Sequence, residues 1–296
     1  MVTMPLNPQQ ESLAPKARSS RLRVLLKHPL ALIGTVGLVF LTLFSFLGPL
    51  LYRHSAYNTH LHHLLQPPSA QFPLGTNNLG RNMLARLMLG GQTSLEVGFA
   101  AALAAMVIGV TYGMISGFFG GWIDSLLMRF VDVLRTIPGL FLLLFVDSVF
   151  KPSPLLLVFL IAGVSWHGVS RLVRAEVLSL KQREYVEAAR AMGASWFRIL
   201  FRELLPNLMG IITVATTFMV ADAVLSIASL SFLGLGLPPP TPNWGAMLSD
   251  SISYLPQNAW WLVYPPGIAV LIIVMSINFI GDAMRVIFDA RLQRRS

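Results

Sequence analysis

Residues 171–206 read RLVRAEVLSLKQREYVEAARAMGASWFRILFRELLP, a hydrophilic stretch set between two long apolar runs. Its seven basic residues are Arg171, Arg174, Lys181, Arg183, Arg190, Arg198 and Arg202. It is longer than a turn requires, since helix–helix connections commonly take about 2–8 residues. The middle, Glu184 to Met192, is built mostly from strong helix formers. Gly193 permits the left-handed turn that ends one helix, and Ser195 is placed to cap the next. Pro206 marks the entry to the following apolar run. The spacing predicts two short helices meeting at a glycine corner.

On either side the chain is too apolar for an ordinary water-soluble domain. Of 296 residues, 54% are hydrophobic and 12% charged, with mean hydropathy +0.65, whereas roughly 25% are charged in soluble domains. Long uncharged runs place the excess in a lipid bilayer, where about 20 residues at 1.5 Å each span the core. Six spans are expected, at about 29–52, 94–118, 133–150, 154–170, 208–233 and 260–281, giving an all-α membrane protein. The second is rich in Ala and Gly, which let helices approach closely, so it should lie inside the bundle. Ahead of the third, Asp124 is followed by Arg129, Asp132 and Arg135, the last three at three-residue offsets that could pair along one face at the membrane surface.

Residues 1–28 form a tail carrying Lys16, Arg18, Arg21, Arg23 and Lys27. The apolar run after it is longer than a signal-peptide core, and Gly48-Pro49-Leu50-Leu51 is a poor cleavage site, so an uncleaved first span is expected. The flanks on one side of a six-span chain hold this tail, the 171–206 stretch, and Arg285, Arg291, Arg294 and Arg295. The opposite flanks hold Arg53, Arg81, Arg86 and Lys151. The excess of Lys and Arg marks the first side as cytoplasmic, with both termini inside.

Composition and motifs also narrow the chemistry. Net charge is +9, but the basic residues sit at segment ends and not on an aromatic-studded surface, which argues against nucleic acid. Without cysteine there are no disulfides or thiolate chemistry. No G-x-x-x-x-G-K-[ST] loop occurs, so nucleotide must bind elsewhere, and Gly117-Phe118-Phe119-Gly120-Gly121 is expected to be a tight turn. His54, His60, His62 and His63 crowd one outer stretch without the helical spacing or carboxylates of a metal site. Asp222 lies mid-span, where a charge costs about 2.5–3.5 kcal/mol, so it and Asn278 are candidate pathway-lining residues. Asp147 and Asp282 have similar standing. No catalytic constellation is present, and no enzyme activity is expected of the chain itself. An intramembrane hydrolase and a secondary transporter are the competing classes; the latter favours inverted repeats and broken helices.

The loop resembles the EAA loop of ATP-binding-cassette importer permeases, with Glu187-Ala188-Ala189, Gly193 and Leu205-Pro206 in order, although Glu203 stands where that pattern has an apolar residue. Further segments resemble the second, C-type permease of the dipeptide, oligopeptide and nickel branch. These are Pro73-Leu74-Gly75-Thr76 through Leu79-Gly80-Arg81, Arg171-Leu172-Val173-Arg174, Arg183-Glu184-Tyr185-Val186-Glu187-Ala188-Ala189, Leu230 to Gly236 with Trp244-Gly245, and Asn278 to Asp282. Asn77 and Asn82 occupy positions where aspartate is expected.

The resemblance covers about residues 15–292 and implies a type I permease fold. It also implies a second homologous permease, two cytoplasmic ATPase subunits that bind ATP and Mg, and an extracytoplasmic solute-binding protein. The chain would then sit in the cytoplasmic (inner) membrane and bind no cofactor itself. Glu184, Tyr185, Glu187, Ala188, Ala189, Ala191, Gly193 and Ala194 would form the helix that couples to the ATPases. The implied cargo is a di- or oligopeptide, with a nickel chelate as the alternative.

Overall fold

The computed structural model describes residues 29–150 and 153–292. The tail 1–28, Lys151, Pro152, Arg294 and Arg295 lie outside the described residues. The elements are α1 (Pro29–Phe46), a short helical turn Gly48–Leu51, α2 (Met83–Phe119), α3 (Gly121–Thr136), α4 (Gly139–Val149), α5 (Pro154–Leu180) and α6 (Glu184–Ala191). They continue with α7 (Leu205–Phe232), α8 (Trp244–Ile252) and α9 (Trp260–Leu292). Among the described residues there is no strand, only an isolated bridge between Thr76 and Asn82.

Among the described residues five helices are long and apolar enough to cross a membrane: Pro29–Phe46, Met83–Phe119, Pro154–Leu180, Trp196–Phe232 and Trp260–Phe288. The expected third span, 133–150, is not one of them, because the chain breaks at Ile137-Pro138 between α3 and α4. Pro138 has no N–H to continue the ladder, and it forces Ile137 into extended backbone at φ −86°, ψ 120°. The crossing therefore comes in two pieces, amphipathic α3 and apolar α4. A second difference lies at Pro206, where a boundary was expected and the helix instead runs through. A π-helical turn over Ile199–Leu204 precedes the proline, and Leu205 N–H donates five residues back to Leu200 O. The wider turn accommodates the donor that proline lacks.

The most buried of these helices is α2, the one rich in small residues. It packs against α5 almost backbone to backbone. A Cβ added at Gly109 would lie 2.7 Å from Trp166 O, one at Gly113 2.4 Å from Ser170 O, and one at Gly117 2.9 Å from Arg174 O. Matching steps of four on both helices make the pair parallel. In contrast α1 runs antiparallel to α9, since Gly34 faces Ser276 and Ile280 while Gly37 faces Ile272. Likewise α7 runs antiparallel to α9, with Gly210 against Phe288 and Gly281 against Thr217. Hence α1 starts and α9 ends at the end of the bundle that carries α6, called the loop end below.

At the opposite end the connections are built on side-chain caps. Asn82 Oδ1 accepts from Ala85 N at 3.1 Å and so caps α2, which starts well before the span expected from residue 94. Its Nδ2 donates to Tyr52 Oη at 2.7 Å. Asn77 Oδ1 accepts from Leu79 N and Arg81 N. At both positions an amide oxygen fills the acceptor role open to aspartate, and Asn82 adds a donor that a carboxylate lacks. Loss of a cap costs about 0.5–2 kcal/mol. Asn82→Ala should therefore lower the thermal midpoint of the detergent-solubilised protein by several degrees, with Asn82→Asp nearer the parent.

The proline-rich stretch 238–242 is non-helical as expected, but α8 follows it. Fully buried Trp244 wedges beside α2, its Nε1 donating to Leu87 O at 3.0 Å. Gly245 rests on the α7 backbone, where a Cβ would meet Ala228 O at 2.2 Å.

Candidate functional site

The loop begins where α5 ends, at Leu180. Helix α6 has Glu184 and Glu187 in its first turn and Arg190 in its last, an arrangement that complements the helix dipole. Its C-terminus closes in a Schellman turn: Gly193 N–H donates to Arg190 O at 2.9 Å and Ala194 N–H to Ala189 O at 3.0 Å. The turn requires a left-handed residue, and Gly193 supplies it at φ +79°. Ser195 Oγ then accepts from Arg198 N at 3.4 Å, opening the helix that leads into α7.

One side of α6 faces the bundle and the other is open. Val186 is fully buried and Ala189 is 7% exposed, both at helical spacing against the start of the next helix. Ala194 is half-buried, while Glu184, Tyr185, Glu187, Ala188, Ala191 and Gly193 are exposed. The expected coupling residues therefore divide: Ala189 anchors the helix, and Ala188 and Ala191 leave a small-residue surface beside Met192, which is 82% exposed. Val186 and Met192 were not among the expected site residues. Their signal was the i, i+3 pairing of Val186 with Ala189, and an apolar residue beside the glycine corner. Tyr185 is 40% exposed; desolvation pushes its phenol above the ordinary value, with Arg183 opposing.

The two candidate pathway residues behave differently. Asp222 is exposed on α7, and no hydrogen bond or ion pair within the described residues reaches its carboxylate. It shares a face with Leu225, Ser226 and Ser229, at spacings of three, four and seven. Asn278 is half-buried, and its Nδ2 donates to Val274 O of its own helix at 2.9 Å. The side chain of Asp147 lies outside the described residues, and that of Asp282 is exposed near the loop end. Of the four histidines, His60 and His63 meet edge-on and both lie tilted against Phe72, and His63 Nδ1 lies 3.1 Å from Gln66 Oε1. Among the described residues no three of His, Cys, Asp and Glu converge as metal ligands would.

Residues 109–294 match the family described as binding-protein-dependent transport system inner membrane component. Residues 19–68 match the N-terminal TM domain of oligopeptide transport permease C. The chain is a binding-protein-dependent transport permease. This permease is 37% identical over 267 residues to the dipeptide transport system permease protein DppC of Alkalihalophilus pseudofirmus, covering 90% of this chain and 88% of the relative. It is 36% identical to the oligopeptide transport system permease protein OppC of Bacillus subtilis, covering 90% and 87%. A chain of the inward-facing MetNI methionine ABC transporter shares the fold at TM-score 0.57 and 20% identity, covering 70% of the permease and 97% of that chain. The permease is thus a multi-pass membrane protein with the type I importer fold, and the matched region contains α6 and its Schellman corner.

Proposed function

We propose that this permease imports di- or oligopeptides, driven by separate ATPase subunits that dock on the open face of α6. One observation carries the reading: an eight-residue helix held outside the bundle by a glycine corner, offering Ala188 and Ala191 to a partner. Small side chains let another surface approach the helix backbone, and the glutamates leave it acidic at its entry. The relatives are named for dipeptide and oligopeptide transport, which supports that cargo class. The loop end is then cytoplasmic, in keeping with its basic flanks. ATP and Mg belong to the partner subunits, and the permease contributes motion and not hydrolysis.

Asp222 supports a second permease packed beside this one. A carboxylate on the outer face of a single chain at mid-span cannot face lipid tails cheaply, so protein or a water-filled path must cover it. A homologous subunit facing α7 supplies both, and a binding protein at the opposite end delivers the solute.

The absence of cysteine makes the test direct. Ala188→Cys in the assembled complex should crosslink to an ATPase subunit, and the crosslink should block peptide uptake. Asp222→Cys should react with a water-soluble maleimide in the membrane. No crosslink from Ala188→Cys or Ala191→Cys in a transporting complex would refute docking at α6; an inert Asp222→Cys would refute the pathway placement.

A further inference from the structure

Three parts of the loop touch the last turn of α2, just ahead of the bend into α3. At the loop's root, Lys181 Nζ donates to Gly117 O at 2.8 Å. In the last turn of α6, the Arg190 guanidinium lies 5.6 Å from the centre of the Phe118 ring. At the exit, the Trp196 and Phe119 rings lie 5.8 Å apart. Residues 117–119 thus meet the loop before, within and after its helix. The bend itself is sharp, with Gly120 at φ +66° and Gly121 at φ +54°.

A single carboxylate ties this turn to the bundle. Asp124 accepts from Ser116 Oγ on α2 and, in two parallel bonds, from Arg174 Nε and an NH2 group on α5. Fork-to-carboxylate pairing fixes direction as well as distance. It is half-shielded: the Asp124 side chain is 13% exposed and that of Arg174 31%. By contrast Asp132 and Arg171, the other ion pair between α3 and α5, are 51% and 44% exposed. Helices α2 and α5 are already locked by their glycine contacts as far as Gly117, and Asp124 extends that hold to the end of α2, on which the loop bears.

We propose that the turn spanning residues 116–124 is the fulcrum of the loop, and that Asp124 is a positioning residue for coupling ATP hydrolysis to transport. The proposal rests on the coupling role of α6 given above. A push on α6 moves α2 and α5 only if the turn does not yield. With the Asp124 bonds gone, the end of α2 beyond Gly117 can give way, α6 can shift while the rest of the spans stays still, and ATP is hydrolysed without transport.

The experiment uses the whole complex in proteoliposomes, with binding protein and radiolabelled dialanine. Asp124→Asn should leave basal ATP hydrolysis within about twofold of the parent and lower dipeptide uptake per ATP about tenfold. The reciprocal pair Asp124→Arg with Arg174→Asp should recover at least half of the loss. Spin labels at Met192→Cys, just past the end of α6, and Leu103→Cys, on the exposed side of α2, should give a broader distance distribution in Asp124→Asn than in the parent background. That readout needs no cargo. If Asp124→Asn fails to assemble, Arg174→Lys, which keeps the charge and loses the fork, should show the same fall in uptake per ATP. An unchanged uptake ratio with an unchanged distance distribution overturns the fulcrum. A parent complex that hydrolyses ATP without moving α6 overturns instead the coupling role beneath it.

Discussion

Gly113→Leu should yield little or no monodisperse protein after detergent extraction. A Cβ at this position would lie 2.4 Å from Ser170 O, 2.9 Å from Val173 Cβ and 3.1 Å from Arg174 N. Two of these neighbours are backbone atoms, which cannot swing aside as a side chain can. Helix α2 would have to back away from α5 by about 1 Å or more before the rest of the leucine is accommodated, since close-packed interiors leave no spare room. That displacement also opens the contacts at Gly109 and Gly117 and pulls on the Asp124–Arg174 bonds. Overpacking a core costs about 1–3 kcal/mol, occasionally more, and here the obstacle is a helix axis. Gly163→Leu, on the same α5 but with nothing within 4 Å of its Cβ, is the control and should behave like the parent. The comparison is made by size-exclusion profile and thermal midpoint. A monodisperse Gly113→Leu melting with the control would show that the two helices do not meet as described.

Gly193→Val should leave the spans folded and abolish transport. Nothing lies within 4 Å of a Cβ added at Gly193, so the penalty comes from the backbone alone. At φ +79° a non-glycine residue is disfavoured by about 1–2 kcal/mol, and a β-branched one is a true outlier. The chain relieves this by turning residue 193 to negative φ, which breaks the donations from residue 193 to Arg190 O and from Ala194 to Ala189 O. Helix α6 then points elsewhere relative to Trp196, and the Ala188 and Ala191 surface is presented at the wrong angle. The expected order of peptide uptake is parent, Gly193→Asn, Gly193→Ala, Gly193→Val. Asparagine ranks above alanine because it tolerates the left-handed region. Valine should lose at least tenfold, with a thermal midpoint near the parent's. Parent-level uptake and ATPase recruitment in Gly193→Val would remove the corner from the mechanism.

These two glycines differ in how visible they were. Gly193 announced itself locally, since a glycine ending a run of helix formers, followed by a capping serine, is a pattern set within a few residues. Gly113 appeared only as one of many small residues in α2, and its partner Ser170 lies on another helix. The same division runs through the loop. Its helix, corner and cap were readable at positions 184–195, whereas the turning of Val186 and Ala189 inward and of Ala188 outward awaited the neighbour they pack against.

Length and hydropathy by themselves determined a helical membrane protein, and local chemistry determined the glycine corner, because both follow from a residue and its near neighbours in the chain. Pro138 also acts locally, breaking the helix at Ile137 within an otherwise apolar run. Tertiary structure alone decided that the helix runs through Pro206 on a π turn, and that α8 seats Trp244 beside α2. It also decided that Asp124 and Asp132 pair with Arg174 and Arg171 on α5, not along their own helix. The i, i+4 rule describes what a helix offers its own neighbours. A partner 50 or 39 residues away is selected only when packing brings two helices into contact, and the α2–α5 glycine seam does that here.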